Sequence, residues 1–478
     1  MMGSPNNSSR RYHFPPGLSH NLLWYALRKM RPADPIALFQ RLAREFGPAA
    51  HYKLGPNHIM FLNEPEYIRE ILVVQNDNFR KERTVQRTKM LLGEGMITSE
   101  SQRHRAQRQV AQPAFHRQRI GAYAATMIER AAALRAGWRD GDELDVSQEM
   151  MRLTLDIVAR TLFNTELGDE VHEVVDAINH IMRLYNYLVL LPGVEILVHL
   201  GVPGLARFER DRRQLDSVVY RMIERHAHKP GSGDLLDLMV RAARQEDPGL
   251  GEPALRSLRD QVITMFLAGY ETTANALTWT WYLLSENRDP ESKLHQELHT
   301  LLGQRLPAVD DVPRLRYTEM VLSESMRLFP PAWAMGRRAR NDFTLGPYFL
   351  PAGTTVLMSQ FVTHRDARFF ADPLQFRPER FASEAAKPAR FAYFPFGAGS
   401  RQCIGESFAW MEMVLVLATL AQRWRLSLVP GHRVEPLPLI TLRSKYGMRM
   451  RISEREPGRQ MPQVNARASQ DSPAVSGR

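Results

Sequence analysis

The sequence predicts a mainly α-helical fold with a smaller β region, and three observations carry that expectation. Between residues 64 and 341 apolar residues recur at helical spacing, interrupted by glycine- and proline-rich stops. Residues 253–287 contain no proline after the first and would span on the order of 50 Å as a helix, enough to cross a domain. After Arg327 the texture changes to prolines, glycines and short runs of β-type residues.

In chain order, an amphipathic stretch from Asp34 to Phe46 reads as a helix, and 51–54 and 58–62 flank Gly55-Pro56-Asn57 as a short hairpin. The helical body has stops at 93–95, 137–141, 192–193, 230–233 and 248–253. In the long segment, 262–268 is apolar around most of its circumference, as a buried helix should be, yet runs into Gly269 and the polar cluster Glu271-Thr272-Thr273. Polar groups inside a core helix need partners or a chemical role. Short strands are expected at 343–345, 348–350 and 354–358, and a final helix from about Ile404 to Trp424. Residues 1–11 and 456–478 are polar and expected to be disordered, leaving 12–455 as a single domain without internal repeats.

Composition excludes several functions. The 478 residues are 44% hydrophobic and 24% charged, enough to bury a sizeable core. Sixty-three basic against 52 acidic residues give a formal charge of +11, which suits nucleic acid, anionic lipid or an acidic protein without choosing among them. No aromatic-basic motif accompanies the charge, so no nucleic-acid partner is expected. The single cysteine, Cys403, excludes an internal disulfide and any multi-cysteine metal site. The N-terminus lacks the apolar core of a signal peptide, which predicts a cytoplasmic protein. The hydrophobic stretch 187–202 is broken by Pro192, Gly193, Glu195 and His199, so no transmembrane segment is expected.

The strongest local signal is Phe396-Gly397-Ala398-Gly399-Ser400-Arg401-Gln402-Cys403-Ile404-Gly405. Glycines 397 and 399 permit tight turns, and Gly405 has no side chain where a flat cofactor would lie. Cys403 is expected at a helix N-terminus, where unpaired N–H groups and the positive dipole end stabilise a thiolate. This loop resembles the haem-binding signature of the cytochrome P-450 family of haem-thiolate monooxygenases, Phe-x-x-Gly-x-Arg-x-Cys-x-Gly, with every fixed position present. The resemblance implies the cytochrome P-450 fold, with a long central helix over haem b and Cys403 beneath it as the proximal iron ligand, framed by Phe396, Arg401 and Gly405.

Further segments match the same family. Glu324-Ser325-Met326-Arg327 resembles its Glu-x-x-Arg helix, and Phe376-Arg377-Pro378-Glu379-Arg380-Phe381 its Pro-Glu-Arg-Phe element. Together they imply a structural cluster of Glu324, Arg327 and Arg380 that fixes the coil carrying Cys403. Ala268-Gly269-Tyr270-Glu271-Thr272-Thr273 resembles the oxygen-activation motif, with Ala268 against the haem and Glu271 and Thr272 delivering protons. A threonine hydroxyl bonding back one turn beside glycine would loosen the helix there. The resemblance also implies His104, Arg108, Arg337 and Arg401 as anchors for the haem propionates. Many family members carry tryptophan where His104 stands.

The similarity spans about 35–452 and implies a monomeric enzyme, its catalytic domain 12–455, that inserts one atom of O2 into a hydrophobic substrate, terpenoid or fatty-acyl in type. Residues 90–96, 185–191, Met265, Phe266 and 332–335 would line the pocket. The chain stops about 75 residues after Cys403, so electrons are expected from a separate ferredoxin or flavodoxin with its reductase. Exposed Arg103 and Arg105, with Arg117 or Arg119, would dock it. Two alternatives are a peroxide-driven peroxygenase, whose relatives lack the acid–alcohol pair present here, and a non-catalytic haem-thiolate sensor or carrier, which would not need Glu271-Thr272.

Overall fold

The computed structural model describes residues 11–21, 34–168, 171, 174–181, 203–228, 231 and 233–455. The expectations for 1–10, 185–191, 192–193 and 456–478 fall outside them.

Asp34 starts the helix Pro35–Phe46, because its carboxylate accepts from the N–H groups of Ile36 and Ala37 while Pro35 supplies a helical φ. Ala49–Leu54 and Asn57–Leu62 then pair antiparallel, with Leu54 opposite Asn57 across a two-residue Gly55-Pro56 turn. Gly55 has φ +61, so the turn takes its backbone from glycine, and Asn57 joins the strand rather than the loop. These two strands belong to a six-stranded sheet in the order Gly17–Asn21, Ala49–Leu54, Asn57–Leu62, Thr355–Met358, Met335–Ala339, Phe79–Lys81. The last two strands were not expected. Met-Gly-Arg-Arg-Ala and Phe-Arg-Lys are short and rich in arginine and lysine, and it is pairing to a buried neighbour that makes them strands.

The helical body follows the predicted stops. Its axis is the 35-residue helix Glu252–Glu286, with Pro253 in its first turn and burial from Leu258 almost without interruption to Leu284. Val146–Leu162 and Arg316–Leu328 pack along it, and Arg117–Gly137 packs on the last helix. That last helix is Glu406–Ala421, shorter at both ends than expected. Trp424–Leu428 is instead a strand paired with Arg449–Glu454, because Trp424 and Leu426 are buried between exposed or half-buried neighbours, a period of two. A further hairpin joins Pro436–Pro438 to Leu442–Ser444. The three predicted strands after Arg340 are present as Phe343–Leu345, Tyr348–Leu350 and Thr355–Met358. Among the described residues no helix is long and apolar enough to cross a membrane.

Candidate active site

The loop before Glu406 is folded by its own backbone. The Cys403 N–H donates to the Phe396 carbonyl at 3.0 Å, and Gln402 N–H to Gly399 at 3.1 Å. Gly399 has φ +72, and a Cβ there would sit 2.1 Å from the Leu72 carbonyl oxygen, so the loop closes against its neighbour only as glycine. Phe396 packs toward Trp410, and Arg108 donates from Nη1 to the Gln402 carbonyl at 2.7 Å, tying the helix Ser101–Ala111 to this loop.

Cys403 lies three residues before the helix rather than at its first turn. Burial pushes its thiol up to about 11, and the Gly405 N–H, which lowers it, does not compensate. The position ahead of the helix therefore does not by itself favour the thiolate. Although protein encloses Cys403, its surface is solvent-accessible. Ala268, Gly269 and Thr272, on one face of the central helix, are likewise half-buried among fully buried neighbours. A Cβ on Gly405 would lie 3.9 Å from the Cys403 Sγ and 3.7 Å from Phe115.

Thr272 donates to the Ala268 carbonyl at 2.8 Å and Thr273 to Gly269 at 3.2 Å, the back-bonding predicted. The helix is not broken there. Gly269 instead permits close packing, since a Cβ would meet Val158 of the neighbouring helix at 3.1 Å. Met265 lies one turn before Ala268 and Gly269 on the same face. Phe266 is turned into the helical core against Phe163 and Tyr270. Of the other expected pocket segments, 90–96 is fastened to the central helix by Glu94 N–H donating to Asp260 at 2.8 Å.

Glu271 is 2% exposed, and its Oε1 accepts from the Thr441 hydroxyl at 2.5 Å and from Arg443 Nε at 2.8 Å. Neither partner was found from sequence: they lie on the C-terminal hairpin, and no local spacing links them to the central helix.

Four predicted cationic or imidazole positions cluster. Arg401 donates to the Phe79 carbonyl at 2.9 Å and to Glu100 at 3.0 Å, while its buried Nη1 has no protein partner; neither has the Nε of buried Arg337. Strand alternation sends Arg337 inward and Arg338 to the Gly353 carbonyl, so Arg337 is the one in the cluster. Burial, then the nearby charges of Lys81, Arg401, Arg108 and Arg337, holds His104 down near 4, so it is neutral at neutral pH and can offer an N–H but no charge. Lys81 was missed: it is buried, donates to the Met96 and Ser99 carbonyls at 2.7 Å each, and is lowered to about 7 mainly by burial. Its signal, one lysine in a three-residue strand, is too weak to read without the fold.

Glu324, Arg327 and Arg380 come together as the resemblance implied. Glu324 accepts from Arg327 Nε at 2.7 Å and Nη2 at 2.8 Å, from Arg380 Nε at 3.1 Å and from the Arg377 N–H at 2.9 Å. Arg327, wholly buried, also donates to the carbonyls of His364, Pro373 and Gln375. His364 Nε2 accepts from the Phe394 N–H at 3.0 Å, two residues before Phe396, which links the cluster to the cysteine loop.

A lone cysteine on a glycine-shaped loop ahead of one helix, together with an acid and an alcohol in the polar stretch of a long buried helix, is the residue set of a haem-thiolate protein. Buried guanidinium nitrogens without protein partners at Arg337 and Arg401 suit a ligand bearing carboxylates. The profile of the cytochrome P450 family matches residues 15–446. Cyclooctatin synthase of Streptomyces melanosporofaciens is 38% identical over 402 residues, covering 83% of this chain and 86% of that protein. Cyclooctat-9-en-7-ol 5-monooxygenase of the same organism is 36% identical over 80% of this chain and 84% of its own. Pentalenene oxygenase of Streptomyces avermitilis is 32% identical over 91% and 95%. The crystal structure of the haem domain of cytochrome P450DA superposes with a TM-score of 0.81 at 27% identity, covering 94% of this chain and 99% of that one. The chain belongs to the cytochrome P450 family, whose members bind haem, and it is a cytochrome P450 monooxygenase.

Proposed function

We propose that this protein hydroxylates a terpenoid, using O2 and electrons from a separate ferredoxin or flavodoxin, and that it works as a cytoplasmic monomer. The observation that carries the reading is the cysteine-loop signature together with the paired Glu271 and Thr272, on a chain whose similar relatives are named for cyclooctatin, cyclooctat-9-en-7-ol and pentalenene. The described candidate pocket positions Met96, Met265, Trp333 and Ala334 are largely apolar, which suits a hydrocarbon skeleton.

Cys403 is the residue that would ligate the iron of haem b, while Arg108, Arg337 and Arg401 would pair with its propionates and His104 would offer an N–H. Ala268, Phe396 and Gly405 would border the group. When bound, haem supplies the oxygen chemistry itself. The chain's own part is to exclude bulk water with the apolar turns around Met265, to hold a proton at the Thr272 hydroxyl and to bring another through the Glu271 carboxyl. The Glu324–Arg327–Arg380 network keeps the cysteine loop in place throughout. The presence of both acid and alcohol favours O2 over peroxide as oxidant and catalysis over sensing.

The test is a binding screen of purified holoprotein with cyclooctat-9-en-7-ol, pentalenene and lauric acid, followed by turnover with NADPH, a ferredoxin and its reductase. A substrate-induced Soret shift and an oxygenated product from a terpenoid are expected. A shift and product only with the fatty acid would replace terpenoid by fatty-acyl chemistry, and turnover only with hydrogen peroxide would make the protein a peroxygenase.

A further inference from the structure

The C-terminal hairpin reaches the acid of the central helix. Besides the two bonds to Glu271 Oε1, Arg443 donates from Nη1 to Asn179 Oδ1 at 2.8 Å, and the Thr441 hydroxyl accepts from Asn275 Nδ2 at 3.1 Å. All five residues, from three elements, are less than a tenth exposed. The hairpin is itself fixed, by Trp279 Nε1 donating to the Leu442 carbonyl at 2.9 Å, the Leu442 N–H to Pro331 at 2.9 Å, and Trp333 Nε1 to the Leu439 carbonyl at 2.7 Å. Trp333 lies in the segment expected to wall the substrate pocket.

A carboxylate this deep is stable only with a charged partner, and removing that partner leaves an uncompensated buried charge. Arg443 supplies the partner, and a guanidinium does not give up its proton, so it acts through charge and position rather than as a proton carrier. Both hairpin donors converge on Oε1. That leaves Oε2 without a donor from the hairpin, so a proton relayed through the carboxyl would have to be picked up and released there.

We propose that Arg443, assisted by Thr441, is the positioning residue for Glu271, holding its carboxyl where proton transfer to Thr272 occurs and anchoring it to the 436–444 hairpin. The proposal rests on the reading of Glu271 as the proton-delivering acid, and the experiment separates the two. Glu271→Gln, Arg443→Gln, Arg443→Lys, Thr441→Val and the double variant Glu271→Gln/Arg443→Gln are purified as holoproteins. Each is turned over with NADPH, a surrogate ferredoxin and its reductase, using cyclooctat-9-en-7-ol and pentalenene as probes. Product per NADPH, peroxide per NADPH and the solvent deuterium isotope effect on NADPH oxidation are read. Thermal midpoints of the same proteins give a cycle for the Glu271–Arg443 interaction without turnover.

Arg443→Gln is expected to keep the CO-bound Soret band and the binding of the probes, while NADPH oxidation slows on the order of tenfold with a larger isotope effect and more peroxide. Arg443→Lys should recover part of the rate, because the charge remains. Thr441→Val should fall between wild type and Arg443→Gln. The double variant should be no slower than Glu271→Gln, and the midpoints should be non-additive. If Glu271→Gln is itself unchanged, the reading of the acid fails and this proposal with it. If Glu271→Gln slows turnover and Arg443→Gln does not, Arg443 alone is removed from the path. Additive losses in rate would place its effect elsewhere and also overturn the proposal. Should Arg443→Gln lose the thiolate Soret band, Arg443→Lys and Thr441→Val decide by the same readouts.

Discussion

Cys403 is fixed through its backbone N–H, which donates to the Phe396 carbonyl, while the Gly405 N–H faces its sulfur and burial pushes its thiol up to about 11. Cys403→Ser and Cys403→His are expected to abolish the red-shifted Soret band of reduced, CO-bound protein, and either variant retaining that band would remove Cys403 as the ligand. Thr272 spends its hydroxyl on the Ala268 carbonyl and remains half-buried on the same face. Thr272→Ala should leave haem content and probe binding near wild type while product per NADPH drops on the order of tenfold and peroxide takes the electrons. Unchanged product yield would assign proton delivery to another group. These two side chains were readable because each stands in a contiguous motif. Thr441 and Arg443 were not, because what they do depends on partners some 170 residues away, and Lys81 was not, because it stands in no motif.

At the scale of elements, the long helices were legible from periodicity and stop residues, while strands shorter than six residues were found only where glycine and proline marked them. The helix Arg288–Leu302 illustrates a property that periodicity does not reveal. Glu291, in its first turn, is 6% exposed, and burial raises its carboxyl to about 7 against the pull of Arg288 and Arg455, with the Arg425 Nε also 3.1 Å from Oε2. Because the folded state holds this proton more tightly than the unfolded chain, stability from this group is fully present below about pH 4.5 and declines as pH rises toward 7. The difference is worth up to about 3 kcal/mol at about 1.4 kcal/mol per pH unit. Glu291→Gln is expected to raise the thermal midpoint relative to wild type progressively between pH 5 and pH 8. A constant difference across that range would show that the carboxyl titrates normally.

For the whole molecule, the surplus of 63 basic over 52 acidic residues acquires a direction once the helix Ser101–Ala111 is in place. His104, Gln107 and Ala111 face inward, Arg108 is engaged with the cysteine loop, and Arg103 and Arg105 are exposed on the same helix. An acidic electron donor should be steered to that side. Its association rate is expected to fall steeply as the Debye length shortens from about 10 Å at 0.1 M salt to about 3 Å at 1 M. Reversing Arg105 to Glu together with Arg103 should lower both the low-salt rate and the salt slope in stopped-flow reduction. Unchanged rate and slope would take this patch out of the docking surface.

By itself the sequence determined the family, and it singled out Cys403, Glu271, Thr272 and the Glu324, Arg327 and Arg380 positions, because each stands in a motif of residues a few places apart. It also determined the central helix, since a proline-free stretch with apolar residues around its circumference has few other stable forms. Only the tertiary structure decided that Gly269 serves packing against Val158, that Cys403 precedes the last helix rather than sitting in its first turn, and that Arg337 rather than Arg338 enters the basic cluster. It alone brought Arg443 to Glu271 across 172 positions of chain. Burial and ion pairing depend on which distant elements exclude water from a group, and that information is distributed over the fold instead of residing in any local pattern.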